Sequence, residues 1–218
     1  MHIPPFDNDN KPIIDIENNI VPNIYFNIVK LSKNEEFSIC LKDYEICIVP
    51  ATGTIEVNIG GKTFENVGNR ITDVWDGEPE CVYIPCNKNS LIKCVSKNCE
   101  LFIAGAKYDK ILEPFVVRSD DIDLIQYGSD DTKTHRKIKH LLGQKQSNQV
   151  GRLLVSELFT VGAGGWSGFP SHKHDTDRLP LETKHDETYN FRFKPNHGSA
   201  LQLLQLEKEG HGKAFHIV

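Results

Sequence analysis

Two histidines stand two positions apart in Gly164-Gly165-Trp166-Ser167-Gly168-Phe169-Pro170-Ser171-His172-Lys173-His174-Asp175, and Lys184-His185-Asp186-Glu187-Thr188-Tyr189 follows. On an extended segment side chains alternate with period two, so His172 and His174 point to one side. Glu187 leads a strand-like stretch in which Tyr189, Phe191 and Phe193 share its parity. If those aromatics fill a barrel interior, the Glu187 carboxylate turns inward with them. Two imidazole nitrogens and one carboxylate oxygen suit zinc, manganese or iron. A bare His-x-His pair is more often structural, but the Gly-rich approach, Pro170 and an acid on the next strand shift the reading to a metal site.

Rival donors lie close by. His185 shares parity with Glu187 and can replace or join it, while Asp175, Asp177 and Glu182 are nearer the histidines in sequence. His197 falls in the turn-like Lys194-Pro195-Asn196-His197-Gly198, and His211 in the charged, Gly-flanked Glu207-Lys208-Glu209-Gly210-His211-Gly212. Both belong at the solvent surface. His216 is strand-like but sits near the end of the sequence, where fraying weakens a ligand.

The elements that must hold these residues read as all-β. From Ile24 to about Ala106 short β-branched and aromatic segments alternate with turn residues. Glu36–Lys42, Tyr44–Val49, Ile55–Ile59, Lys62–Val67, Cys81–Pro85, Leu91–Val95 and Glu100–Gly105 are the expected strands. Gly60-Gly61 is the pair a tight hairpin favours, because both positions can take positive φ. Such spacing without long helical patterns argues for a sandwich or small barrel. The organisation read from this is an N-terminal module over 1–115, a connector over 116–150 and a second, shorter module over 151–218. The basic run His135-Arg136-Lys137-Ile138-Lys139-His140 is expected as a solvated loop or edge strand. In the second module the expected strands are 152–160, 187–193, 201–206 and 214–218, the last an open edge with no closing turn, which makes the module look incomplete.

The chain has 25 Lys and Arg against 30 Asp and Glu, a formal charge of -5, which offers no positive field for nucleic acid or an anionic membrane. Hydrophobic residues at 39% and charged at 25% are globular values, so the chain should fold. Met1 to Asn10 has neither a basic nor an apolar leader pattern, which reads as cytoplasmic. The six cysteines, Cys40, Cys47, Cys81, Cys86, Cys94 and Cys99, form no CxxC pair, and in strand-like surroundings they read as small hydrophobes.

The run Trp166 to Asp175, with Glu187-Thr188-Tyr189 downstream, resembles the metal motif of the 5-deoxy-glucuronate isomerases of inositol catabolism, which are bicupins. Tyr44-Glu45-Ile46-Cys47-Ile48-Val49, Thr52-Gly53 and Thr63-Phe64-Glu65-Asn66-Val67-Gly68 resemble that family's N-terminal cupin. The resemblance therefore implies an all-β bicupin of two jelly-roll barrels, the second incomplete. It implies a divalent metal, zinc or manganese, on His172, His174, Glu187 and a further His in a Gly-Tyr-His segment that has no counterpart before Val218. The implied reaction is the aldose–ketose isomerisation of 5-deoxy-glucuronate to 2-deoxy-5-keto-gluconate, with a small sugar acid as partner and a possible homo-oligomer. Lys173, Arg192 and the run His135 to His140 are candidates for gripping the substrate carboxylate, although regular strand parity turns Arg192 away from Glu187. The catalytic base is not identified. A metal-dependent dioxygenase or another sugar-acid isomerase on the same barrel, and a non-catalytic cupin that binds a sugar acid or serves structurally, are the alternatives.

Overall fold

The computed structural model describes residues 1–168, 170–205 and 210–218. It comprises two compact units, Asn8–Asp186 and Met1–Asp7 with Glu187–Val218. Phe169, Leu206 at the end of an expected strand, and Glu207-Lys208-Glu209 ahead of His211 lie outside the described residues.

In the larger unit β1 (Ile24–Ser32), β2 (Glu36–Ile39), β3 (Tyr44–Thr52), β4 (Ile55–Ile59), β5 (Lys62–Val67), β6 (Cys81–Ile84), β7 (Ser90–Cys94), β8 (Asn98–Lys107) and β9 (Phe115–Val117) form two antiparallel sheets. Their orders are β1-β8-β3-β6-β9 and β2-β7-β4-β5. Two interlocked sheets in the orders 1-8-3-6 and 2-7-4-5 make the double Greek key of a jelly roll. The chain is all-β, as the strand spacing implied.

Alternation builds the interior. Ile55, Val57 and Ile59 of β4 face inward and pack with Val29, Ile46, Ile48, Ile92, Leu101 and Ile103. The hairpin between β4 and β5 turns on Gly60 and Gly61, with φ of +57° and +93°, and pairs Ile59 with Lys62. The strand β3 is buried on both faces, which explains its nearly continuous apolar run. One face belongs to the barrel interior, and Cys47 and Val49 belong to a second cluster with Tyr83, Val117, Leu141, Leu142 and Leu153.

That second cluster is where a further three-stranded sheet meets the barrel. It holds β10 (Leu124–Tyr127), β11 (Arg136–Leu142) and β12 (Val155–Thr160) in the order β10-β11-β12. The basic run is thus the central strand, a correction to the loop or edge strand its composition suggested. Lys139 is accommodated because its ammonium pairs with Glu78 at 2.7 Å and lies over the Phe159 ring at 5.1 Å. Arg136 covers the Tyr127 ring, and His140 meets Ser156 across the ladder at 2.7 Å.

Two polar clamps fix this sheet and its approach. Glu45, fully buried, accepts from Tyr83 Oη at 2.6 Å and from the successive backbone N–H groups of Gly151, Arg152 and Leu153 at 2.8, 2.5 and 2.7 Å. Arg70, 2% exposed, grips both oxygens of Glu157 at 2.7 Å, and Trp75 packs edge-on against Phe159.

The smaller unit contains a two-stranded sheet, β13 (Ala200–Gln205) with β14 (Gly212–Ile217). The segment 187–193, expected as a strand, joins no ladder among the described residues. Its β-branched and aromatic composition fits a pleated surface, but a strand exists only where a neighbour takes up its N–H and C=O groups.

Five of the six cysteines are buried without a disulfide. Cys40, just past β2, is exposed and departs from the small-hydrophobe reading. No helix is long and apolar enough to cross a membrane, among the described residues.

Candidate metal centre

The segment from His172 to Asp186 folds back on itself. Arg178 and Glu182 form an isolated bridge, with the Arg178 N–H donating to the Glu182 carbonyl at 3.0 Å and its Nε to the Glu182 carboxylate at 2.7 Å. Further out the Lys184 N–H donates to Asp177 Oδ1 at 2.6 Å, and the His185 N–H to the His174 carbonyl at 3.0 Å. The doubling-back brings three rings together. His172 and His174 have centroids 5.9 Å apart, and His185 stacks on His174 at 4.0 Å and 17°.

Hydrogen bonding sets the tautomer of His174. Its Nδ1 lies 3.0 Å from the His185 carbonyl oxygen, which can only accept, so Nδ1 carries a proton, and in the neutral ring the ligating nitrogen is then Nε2. Orientation of a ligating imidazole by a carbonyl on its second nitrogen is the usual support for a metal site.

His172, His174 and Glu187 offer ligand atoms that all lie within 4.8 Å of one another. Zinc–nitrogen and zinc–oxygen bonds run to about 2.0–2.2 Å, so this separation fits an ion after a small inward movement. The nitrogen and oxygen set is the one the sequence pointed to, and the residues present fit a borderline divalent metal. Tyr189 Oη donates to Glu187 Oε1 at 2.5 Å, and the Tyr189 and Phe191 rings stack at 5.9 Å, but both rings and Glu187 are exposed, so the inward-facing strand expected from their shared parity does not form.

The rival donors are engaged elsewhere. Asp175 accepts from Thr176 Oγ1, and that bond, with the Lys173 charge as a smaller cause, lowers its carboxyl below the ordinary range. Asp177 holds the Lys184 N–H, and the Arg178 hydrogen bond lowers Glu182. His185 packs as a stacking partner and stands outside the three-ligand group. His197 lies within a turn in which the Gly198 N–H donates to the Pro195 carbonyl, and it is exposed. His211 and His216 are exposed. Lys173 is exposed, with Asp175 and Glu182 oxygens 3.8 and 3.9 Å from its ammonium, and Arg192 is half-buried.

Sequence reasoning missed Asp186. Its Oδ2 accepts from the Asn23 backbone N–H at 3.1 Å and from Asn23 Nδ2 at 2.9 Å. The two residues are 163 positions apart, and no local pattern announces such a pair.

The KduI/IolB family matches residues 2–218. A 5-deoxy-glucuronate isomerase of Shouchella clausii (strain KSM-K16) is 30% identical over 185 residues, 84% of this chain and 66% of that one. A protein of the same name from Bacillus subtilis (strain 168) is 31% identical over 182 residues, 83% of this chain and 65% of that one. The chain thus spans about two thirds of the length of the curated relatives it matches. The crystal structure of an IolB-like protein from Salmonella typhimurium LT2 superposes with a TM-score of 0.80 at 24% identity, covering 89% of this chain and 72% of that one. At that identity the likeness speaks for the fold.

Proposed function

Because this chain belongs to the KduI/IolB family, we propose that it is a metal-dependent aldose–ketose isomerase that converts 5-deoxy-glucuronate to 2-deoxy-5-keto-gluconate in inositol catabolism. The observation that carries the proposal is the convergence of His172, His174 and Glu187 in a chain whose relatives bear that enzyme name.

The reaction moves a proton from the carbon beside the aldehyde to the aldehyde carbon, and negative charge develops on the two oxygens in between. A divalent metal, zinc or manganese, supplies Lewis acidity toward that charge when bound. His172 and His174 would hold it through imidazole nitrogen and Glu187 through carboxylate oxygen. The chain's own part is orientation. The His185 carbonyl keeps the proton of His174 on Nδ1, and the Tyr189 hydroxyl fixes the Glu187 carboxylate through Oε1. Lys173 and Arg192 are assigned to the substrate carboxylate, and for Lys173 this means exchanging Asp175 and Glu182 for the ligand. The partner is a small sugar acid, with no role for nucleic acid or membrane. Unbridged buried cysteines fit a reducing cytoplasm. Leu201 and Leu203, 67% and 60% exposed on one side of β13, fit a self-associating face.

A second reading, a sugar-acid binder without turnover, is favoured by one feature: His172 and Glu187 are both exposed. Catalysis by charge stabilisation gains from excluding water, and these donors do not exclude it.

The test is metal content of the purified chain by mass spectrometry beside His172→Ala/His174→Ala, followed by an isomerase assay. Near-stoichiometric metal lost in the double variant, together with turnover of 5-deoxy-glucuronate, is the expected result. Metal without turnover selects the binder. Oxygen uptake by the iron-loaded chain selects a dioxygenase. A metal-free wild-type chain overturns the metal centre.

A further inference from the structure

The segment that carries His172 and His174 is anchored at its far end by one side chain, and that anchor leads back to the rigid barrel without a loose link. Asn23 stands immediately before β1, and its carbonyl accepts the Lys107 N–H from the end of β8 at 2.9 Å. The preceding Pro22 carbonyl accepts the Tyr44 hydroxyl at 2.7 Å. The backbone N–H and amide of Asn23 then both close on Asp186 Oδ2. The residue before Asp186 is His185, whose carbonyl receives the His174 Nδ1–H and whose ring covers the His174 ring. Asp186 thereby fixes the main-chain carbonyl that decides the tautomer of His174.

We propose that the Asp186–Asn23 clasp is a positioning device for the candidate metal centre, holding the His185 carbonyl where it keeps His174 in the Nδ1–H form with Nε2 directed to the ion. The proposal rests on the metal-site reading for its purpose but on the clasp geometry alone for its mechanism. Outer-shell partners of this kind typically govern metal affinity by about tenfold to a hundredfold. The clasp hydrogen bonds lie at the surface, so losing them leaves the barrel intact.

Asp186→Ala and Asp186→Asn separate the acceptor geometry from the charge, because the asparagine oxygen can still accept from Asn23. Zinc is the probe, with its dissociation constant measured by competition against a chromophoric chelator. The tautomer of His174 is read in the metal-free full chain from imidazole nitrogen chemical shifts. The expected result is that Asp186→Ala weakens zinc about tenfold or more and shifts His174 out of the pure Nδ1–H form, with the melting temperature within about 2 °C of wild type. Asp186→Asn is expected to restore zinc affinity to within about threefold and to restore the tautomer. Unchanged tautomer and unchanged zinc affinity in Asp186→Ala overturn the clasp while leaving the metal site standing. Equal loss in both variants also overturns it, since charge and not geometry would then be at work. If wild type binds no zinc but Asp186→Ala still shifts the tautomer, the clasp stands and the metal reading falls.

Discussion

Replacing Glu45 probes how the barrel holds the chain that leads into β12. Glu45 is fully buried, and its two oxygens act only as acceptors, from the Tyr83 hydroxyl and three consecutive backbone N–H groups. Burial, reinforced by the Glu45 hydrogen bond, pushes the Tyr83 phenol well above its ordinary value, so it stays a donor throughout. Glu45→Ala leaves these four donors without the acceptor they share. A buried donor left unpaired costs about 1–3 kcal/mol, and the four losses are not additive, so about 4 kcal/mol is the expected sum. Glu45→Gln keeps the volume but turns an NH2 group toward donors on one side, costing about 2 kcal/mol. For a chain of this size each kcal/mol moves the melting temperature by roughly 2–4 °C, giving losses of about 8–16 °C for Ala and about 4–8 °C for Gln. Urea unfolding measures the free energies, and amide exchange at Gly151, Arg152 and Leu153 locates the effect. A loss below about 1 kcal/mol for Glu45→Ala, or unchanged protection of those three amides, refutes the reasoning.

Arg70→Ala leaves Glu157 without its bidentate partner and is expected to cost about 3 kcal/mol by denaturant unfolding, whereas Arg70→Met/Glu157→Leu recovers most of it because the unpaired charge is gone. Gly53 sits at φ +81° with an added Cβ meeting the Asn98 carbonyl at 2.4 Å, so Gly53→Ala is expected to lower the melting temperature by several degrees, roughly 2–4 °C per kcal/mol of strain, while Gly60→Ala, at positive φ but with open space, costs less. Asp76, whose hydrogen bonds to the backbone at Asp73 and Thr72 lower its carboxyl to about 2 from 3.8, contributes stability that is full above 3.8 and is lost as pH falls toward 2. An acid titration of Asp76→Asn, compared with wild type, should show the difference vanish in that window.

The jelly roll was legible because its information is local. Alternation at Ile55, Val57 and Ile59, and two adjacent glycines at positive φ, specify a half-buried hairpin without reference to anything distant. The centre of the three-stranded sheet was not, because Lys139 and Arg136 enter it by pairing with Glu78 and covering Tyr127, partners that sequence spacing does not connect. Arg70 and Glu157, 87 positions apart, escape notice for the same reason. At the candidate site the His-x-His spacing is matched by two rings 5.9 Å apart, although 172–174 belong to no strand. The parity argument for Glu187 misplaced its surroundings, because Tyr189 and Phe191 are exposed and 187–193 joins no ladder among the described residues. What stayed hidden was the support: a main-chain carbonyl at His185 and a carboxylate at Asp186 act through geometry that residue type does not reveal.

The difference between the barrel and the metal-bearing segment is one of cohesion. Barrel side chains such as Val57, Ile92 and Leu101 are wholly buried, so the hydrophobic effect fixes them whether or not a ligand is present. Leu179 and Leu181, at the tip of the segment, are 77% and 85% exposed and contribute little burial. The segment is held instead by backbone pairing between His174 and His185, by the Arg178 and Glu182 bridge, and by the clasp on Asn23. Hydrogen bonds at a wet surface are individually weak, and segments built from them belong to the easily opened part of a fold. A ligand that binds His172 and His174 on such a segment stabilises the ordered form by mass action, so metal affinity and local order become one quantity measured in two ways. This is why a contact as remote as Asp186 to Asn23 acts on His174 at all. Restricting the segment beforehand leaves less conformational entropy for the ion to overcome, and the barrel supplies the rigid half of that restriction.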